Sequence, residues 1–214
     1  ARRSGDRRTE AMSLRLAAIG AHRDGRIAEA DQHFSSALAL HDALDDRVQR
    51  AVLLANLANL RSQQGRITEA RAAYDEAIAL HRDVGNRAAE GISLGNLGAQ
   101  LFDVGESAEA QRAYEAALAI HRETGSRQQE AITLANVGIL LHQQGQLQQA
   151  AEQYRAALAI HREIGNRRGE GVTLTQMGDL HQTQRAFAAA RTCYDEALRI
   201  HREVGNLRFE AGTL

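Results

Sequence analysis

The chain has 214 residues, 26 basic against 27 acidic side chains, 43% hydrophobic and 4% aromatic content, no Pro and no Trp. Charges that nearly cancel exclude the positive surplus expected of a nucleic-acid or membrane-surface binder, and the lone Cys193 excludes an internal disulfide or a thiolate metal cluster. No apolar run approaches the roughly 20 residues of a membrane-spanning helix, and the opening ARRSGDRRTE lacks a signal-peptide core. A reducing cytoplasm is the expected setting, with Cys193 a small helix side chain.

In chain order, residues 1–10 end in Gly5-Asp6-Arg7-Arg8-Thr9-Glu10 and match the close of a later unit, Gly85-Asn86-Arg87-Ala88-Ala89-Glu90. Five units of equal length follow, 11–50, 51–90, 91–130, 131–170 and 171–210. Residues 211–214 open a further one, with Leu214 in register with Leu174. The columns are dense: His41, His81, His121, His161 and His201; Phe34 with Tyr74, Tyr114, Tyr154 and Tyr194; Ala37, Ala77, Ala117, Ala157 and Ala197. Gly25, Gly65, Gly105 and Gly145 form another, broken by Arg185. Self-similarity at a fixed period of roughly 20 to 50 residues marks stacked repeats, not a single shared core. Units with no polar terminal cap at either end lead us to expect a segment of a longer protein, whose uncapped ends leave head-to-tail self-association open.

Each unit reads as two helices. In the third, Ile92, Leu94, Leu97 and Leu101 recur at helical spacing until Gly105 ends helix A. Helix B carries Ala110, Tyr114, Ala117, Leu118 and His121 on one stripe and stops at Gly125. Ser126 stands where an N-cap belongs, with Gln129 placed to complete a capping box; Asn86, Asn166 and Asn206 are expected to cap their own helices. Glu90, Glu130, Glu170 and Glu210 fall in first turns, near the positive end of the helix dipole. Arg87, Arg127 and Arg167, each three residues before a Glu, read as a solvated charge stripe with weak surface pairs, and Arg82, Arg122, Arg162 and Arg202 as more of the same. Gly98, Gly138 and Gly178, with Ala18 and Ala58, leave room for the Ala column of helix B to approach closely, and the aromatic fills the wedge beside that contact.

Leu97, Gly98, Leu101, Ala110, Tyr114 and Ala117 carry the small-residue and aromatic pattern of the tetratricopeptide repeat family, which the chain resembles over essentially its whole length. The resemblance implies an all-α, right-handed superhelical α-solenoid of antiparallel helix pairs. The usual unit is shorter, with a large aromatic early in helix A and a Pro after helix B. Here Leu94 takes the first place, the Pro is missing, and the segment typified by His121-Arg122-Glu123-Thr124-Gly125-Ser126 lengthens the helices. This longer variety resembles the repeats of Pins-type adaptors and of many large bacterial signalling proteins, in which the array binds a partner and chemistry lies elsewhere.

The resemblance also places a groove on the inner face of helix A. Counting residue 91 as position one, its stripe falls at positions two, five, six, nine, twelve and thirteen. Position six reads Asn56, Asn96, Asn136 and Gln176, with Leu16 the exception. Such an amide ladder presents a donor and an acceptor at regular steps and suits the backbone of an extended peptide; the same column could instead satisfy turn or inter-repeat backbone groups. Around it lie Asn59, Ile139 and Asp179, then Phe102 and His142, then Asp103 and Gln143, with Phe102 and Ile139 as exposed apolar anchors. The His column does not read as a metal site, because equivalent residues of stacked units stand about 8 to 10 Å apart whereas zinc ligands approach to roughly 2 Å. It reads as packing and hydrogen bonding against the next helix A.

No nucleophile elbow, phosphate-binding Gly loop or metal-ligand cluster occurs, so neither catalysis nor a cofactor is expected. The expected function is a scaffold that binds a peptide or helical segment of a protein partner in the groove, with no nucleic acid and no membrane as partner. The alternative is a structural or autoinhibitory arm acting on a catalytic domain of the same parent chain.

Overall fold

The computed structural model describes residues 2–205. The Asn206 cap, Glu210 and the helix expected from residue 211 lie outside the described residues. Those described form ten α-helices and no strand, an α-solenoid of antiparallel pairs. The chain divides after Val104 into two compact units. The first holds α1 (Arg2–Arg23), α2 (Ile27–Ala43), α3 (Arg47–Gln63), α4 (Ile67–Asp83) and α5 (Arg87–Asp103). The second holds α6 (Ser107–Glu123), α7 (Arg127–Gln143), α8 (Leu147–Glu163), α9 (Arg167–Thr183) and α10 (Phe187–Glu203).

Odd-numbered helices are the A helices and even-numbered ones the B helices. In the first unit α1 packs on α2 and α3 on α4; α2 and α4 each pack on the next A helix, and α3 touches α5. In the second unit α7 pairs with α8 and α9 with α10; α6 and α8 each pack on the next A helix, and α7 touches α9. Three-residue turns connect them. In the α3–α4 turn the Gly65 N–H donates to the Ser62 carbonyl at 2.9 Å and the Arg66 N–H to the Arg61 carbonyl at 2.9 Å. This pair of bonds satisfies carbonyls that the helix end leaves without a partner, and it needs one residue in the left-handed region, which Gly65 supplies at φ 73°. Where the glycine column breaks, the turn survives: Arg185 adopts φ 58° and makes the same bonds, to Gln182 and with Ala186 to His181, both at 2.9 Å.

The wedge expected between small and aromatic columns is present. A Cβ on Gly138 would stand 2.5 Å from Tyr154 Cε1, and one on Gly178 2.4 Å from Tyr194 Cε1. Tyr154 is buried among Leu141, Ala150, Ala151 and Leu180. In the first unit Ala18, Ala37 and Phe34 meet Leu53, Leu57 and Leu60 of α3. Each large side chain buried in this way contributes about 1.5–3 kcal/mol.

Helix starts follow expectation in part. Asn86 Oδ1 accepts the Ala89 N–H at 3.2 Å and Asn166 Oδ1 the Gly169 N–H at 2.9 Å, while Asp46 does the same for Gln49 at 3.2 Å. Ser126 makes no capping bond; its Oγ lies 2.8 Å from Thr124 Oγ1, a competing hydroxyl on the neighbouring turn. The acidic first-turn column is also more than a dipole partner. Glu90, Glu130 and Glu170 are buried, and each carboxylate is gripped from two sides. Arg82 and Arg87 hold Glu90, Arg122 and Arg127 hold Glu130, and Arg162 and Arg167 hold Glu170, at 2.5–3.0 Å. The arginines keep the expected exposure, 39–63% of the side chain, but their partners are buried, and each clamp ties the end of one B helix to the start of the next A helix. Arg47, Arg127 and Arg167 reach on to Asp83, Glu163 and Glu203 at the far end of their own hairpins.

Candidate functional site

Adjacent A helices leave clefts between them. In the first unit, α3 and α5 frame a cleft of about 170 Å3 walled by Val52, Asn56, Asn59, Ile92 and Asn96, with His81 at its edge. A second cleft of about 180 Å3 continues along the same helices, past Ser62, Gln63, Ala99 and Asp103 to Tyr74. In the second unit, α7 and α9 frame a cleft of about 270 Å3 with Ile132, Asn136, His161, Arg168, Val172 and Gln176 in its wall. Four amides of the ladder thus meet in pairs, Asn56 with Asn96 and Asn136 with Gln176. The two clefts that hold these pairs alternate amide and aliphatic walls, a surface suited to peptide backbone and small apolar side chains. Gln176 Oε1 is buried with no hydrogen-bond partner within the protein.

Other members of the expected stripe are committed to the fold. Asn59 Oδ1 accepts the Tyr74 hydroxyl at 2.6 Å, and Asp179 Oδ1 accepts that of Tyr194 at 2.7 Å, so position nine anchors the aromatic of its own hairpin. His142 Nε2 pairs with Thr183 Oγ1 at 2.9 Å. Asp103 and Gln143 are exposed near the helix ends. Phe102 and Ile139 are half-buried instead of exposed, and Ile139 packs on the Leu141, Tyr154 and Leu180 cluster, where the close helix crossing draws it inward. The apolar groups that do stand open in the clefts are Ile92 and Ile132, each 40% exposed. Spacing alone assigned Ile92 to the interior stripe. The signal that identifies it is its column, Met12, Val52, Ile92, Ile132 and Val172, which holds position two of the groove stripe in every unit.

Where the next A helix is described the His column packs as expected: His161 lies against Gly169 at the start of α9, whereas His201 lies against Gly171 of its own hairpin. His41, His81, His121, His161 and His201 are all buried. The expected hydrogen bonding is absent at one nitrogen: Nδ1 of His81, His121 and His161 is buried without a partner. Burial pushes these three imidazoles below the ordinary histidine range, while Glu90, Glu130 and Glu170 pull weakly the other way. His201 is lowered by burial as well. Among the described residues no group of His, Cys, Asp or Glu could hold a metal ion, and no helix is long and apolar enough to cross a membrane. Cys193 is half-buried, and burial pushes its thiol up, away from the reactive thiolate.

The model of the tetratricopeptide repeat matches residues 8–83, 89–163 and 129–203. The chain belongs to the tetratricopeptide repeat family. Solved structures agree on the fold of this tetratricopeptide array. A Rap protein complexed with Competence and Sporulation Factor has a TM-score of 0.80 at 16% identity, over 91% of this chain and 54% of that one. The Rap conjugation gene regulator of plasmid pLS20, in complex with the Phr* peptide, has a TM-score of 0.79 at 14% identity, over 94% and 55%. The nearly identical repeats of a kinesin light chain from Podosopora anserina give 0.70 at 16% identity, over 90% and 95%. The array thus spans about half of each Rap protein and nearly all of the Podosopora anserina repeat chain. A search of curated protein sequences gave no match.

Proposed function

We propose that this tetratricopeptide array is a protein-interaction scaffold whose A-helix clefts hold an extended peptide segment of a partner. The observation that carries the reading is the paired amides: Asn56 with Asn96 and Asn136 with Gln176 face each other across clefts, and the fold makes no other use of them. An extended strand needs one donor and one acceptor at each step, which a carboxamide provides, and Ile92 and Ile132 add aliphatic surface beside each pair. The Rap structures solved with a factor or a peptide share this fold and support the reading. A signalling or regulatory parent protein is the setting we propose, in which the same clefts could serve a catalytic domain in cis.

The test is a pull-down, paired with a displayed library of extended peptides, using the chain and its Asn96→Ala, Asn136→Ala double variant. Partners and peptides recovered by the first and lost by the second support the proposal. Equal recovery by both removes the amide ladder from the account.

A further inference from the structure

The two clefts that hold the amide pairs differ in charge. No Arg, Asp or Glu lines the α3–α5 cleft. The α7–α9 cleft has Arg168 in its wall, in the first turn of α9. The corresponding residues are Ala88 at the start of α5 and Gln128 at the start of α7. Arg168 stands three residues before Gly171, position one of its unit, and so outside the stripe that carries the amide ladder.

Arg168 has no counter-charge of its own. It makes no ion pair or hydrogen bond among the described residues, and the acids at this end of the hairpins are taken. Glu163 holds Arg127 at 2.5 Å, Glu170 holds Arg162 and Arg167 at 2.8 and 2.5 Å, Glu196 holds Arg162 at 2.9 Å, and Glu203 holds Arg167 at 2.7 Å. A first helical turn also disfavours a cation and favours an incoming anion. The openness of the position does not come from an absent neighbour: Gln128, its equivalent one repeat earlier, is exposed in the wall of the same cleft with α9 stacked in place.

A second mismatch lies in the same cleft. Gln176 Oε1 is buried without a partner in the protein, an acceptor that lacks its donor. Arg168, Val172 and Gln176 follow one another at four-residue steps on one face of α9, about 6 Å apart along the axis. Along an extended chain, side chains on one face recur every second residue, at about 6.5 Å. The two spacings match. A peptide lying along the cleft that sets one residue at Arg168 sets the next but one at Val172, with Ile132 of α7 opposite it, and the following one at the Asn136 and Gln176 amides.

We infer that the α7–α9 cleft selects an extended segment in which Asp or Glu stands two positions from an aliphatic residue. The carboxylate pairs with Arg168, the aliphatic side chain seats between Ile132 and Val172, and a backbone N–H of the ligand donates to Gln176 Oε1. This selectivity rests on the clefts being the ligand surface proposed above. The α3–α5 cleft, with Ala88 in place of Arg168, does not share it.

A displayed peptide library, fused at both ends so that only side chains supply carboxylates, tests this on the whole chain. The wild type should enrich Asp or Glu two positions from Val, Ile or Leu. Arg168→Gln should keep the aliphatic preference and lose the acidic one, and Arg168→Glu should enrich Lys or Arg in its place, both with unchanged circular dichroism. A synthetic copy of the selected peptide should bind Arg168→Gln at least about fivefold more weakly than the wild type at low salt, and its Asp→Asn or Glu→Gln version should bind both alike. Amidating its C-terminus should change affinity by less than about twofold, since a terminal carboxylate is not the group read. Peptides that need Asn136 but show no acidic preference, or a preference that survives Arg168→Gln, overturn the selectivity and leave the clefts as the ligand surface. Enrichment of no extended peptide by any version overturns both.

Discussion

The imidazole of His161 is pressed against Gly169 at the start of α9, so closely that a Cβ there would stand 2.4 Å from its Cε1 and 2.6 Å from its Nδ1. The ring belongs to the end of α8, so this contact joins one hairpin to the next. His81 and His121 occupy the same place in their repeats, at the ends of α4 and α6, buried and with Nδ1 unpartnered. A proton on any of them would put a charge on a buried ring whose Nδ1 has no acceptor.

A pH dependence follows. Burial lowers the folded-state pKa of His81, His121, His161 and His201 below the unfolded value, so the unfolded chain binds more protons once pH falls below about 6.5. Stability is therefore full above that value and declines as the medium is acidified through it. Thermal melts should shift downward between about pH 7.5 and about pH 5.5, and a His121→Gln, His161→Gln variant should flatten the shift. Superimposable melts across that range would show that the column does not titrate with unfolding.

The clamps predict a contrast between buried and exposed acids. Burial pushes the Glu170 carboxyl up, but Arg162 and Arg167 outweigh it and hold the group below the usual carboxylate range. Its contribution is present above about pH 4.3 and is lost as pH falls through the lowered value, a second and more acidic step than that of the histidines. Removing the carboxylate leaves two converging guanidinium groups unpaired. Glu170→Ala should cost about 1–3 kcal/mol, the half-exposed arginines softening the full penalty for a broken buried pair. Glu163→Ala, on the exposed outer link to Arg127, should cost under about 1 kcal/mol. Chemical denaturation of the two variants side by side would expose the error if they proved equal.

Much of the fold was legible because each repeat solves the same packing problem with the same residues. The glycine turns, the Tyr154 wedge on Gly138 and the Asn86 and Asn166 caps all rest on local chemistry that spacing reveals. What spacing could not reveal was burial on a shared face. Glu130 looked like a surface acid because i,i+3 pairing with Arg127 is a surface pattern; only the return of Arg122 from the previous B helix closes the clamp. Asn59 and Asn96 looked alike as groove amides, although one is pinned to Tyr74 and the other is not. Ile92 and Ile139 exchanged roles for the same reason, since a few tens of degrees around the helix separate cleft from core.

The broken glycine column gives a stabilising substitution. Arg185 holds φ 58°, where an L side chain costs about 1–2 kcal/mol relative to the ordinary helical region. Glycine removes that cost but makes the unfolded chain more flexible, which returns about 0.4–1 kcal/mol. Arg185→Gly should therefore stabilise by about 0.5–1 kcal/mol and raise the melting temperature by about 1–3 °C. A lowered melting temperature would mean that the arginine makes a compensating contact in solution.

The divided roles of the amides can be read from stability alone. Asn59→Ala removes the acceptor of the Tyr74 hydroxyl, on a ring that is 2% exposed, and should cost about 1–2 kcal/mol for a donor left without its partner. Asn96→Ala removes a side chain that faces the cleft and makes no bond to the protein, so its cost should stay within about 0.5 kcal/mol. Urea unfolding measures both. If Asn96→Ala destabilises as much as Asn59→Ala, the position-six amides hold neighbouring repeats together, and the ladder belongs to the scaffold and not to its ligand.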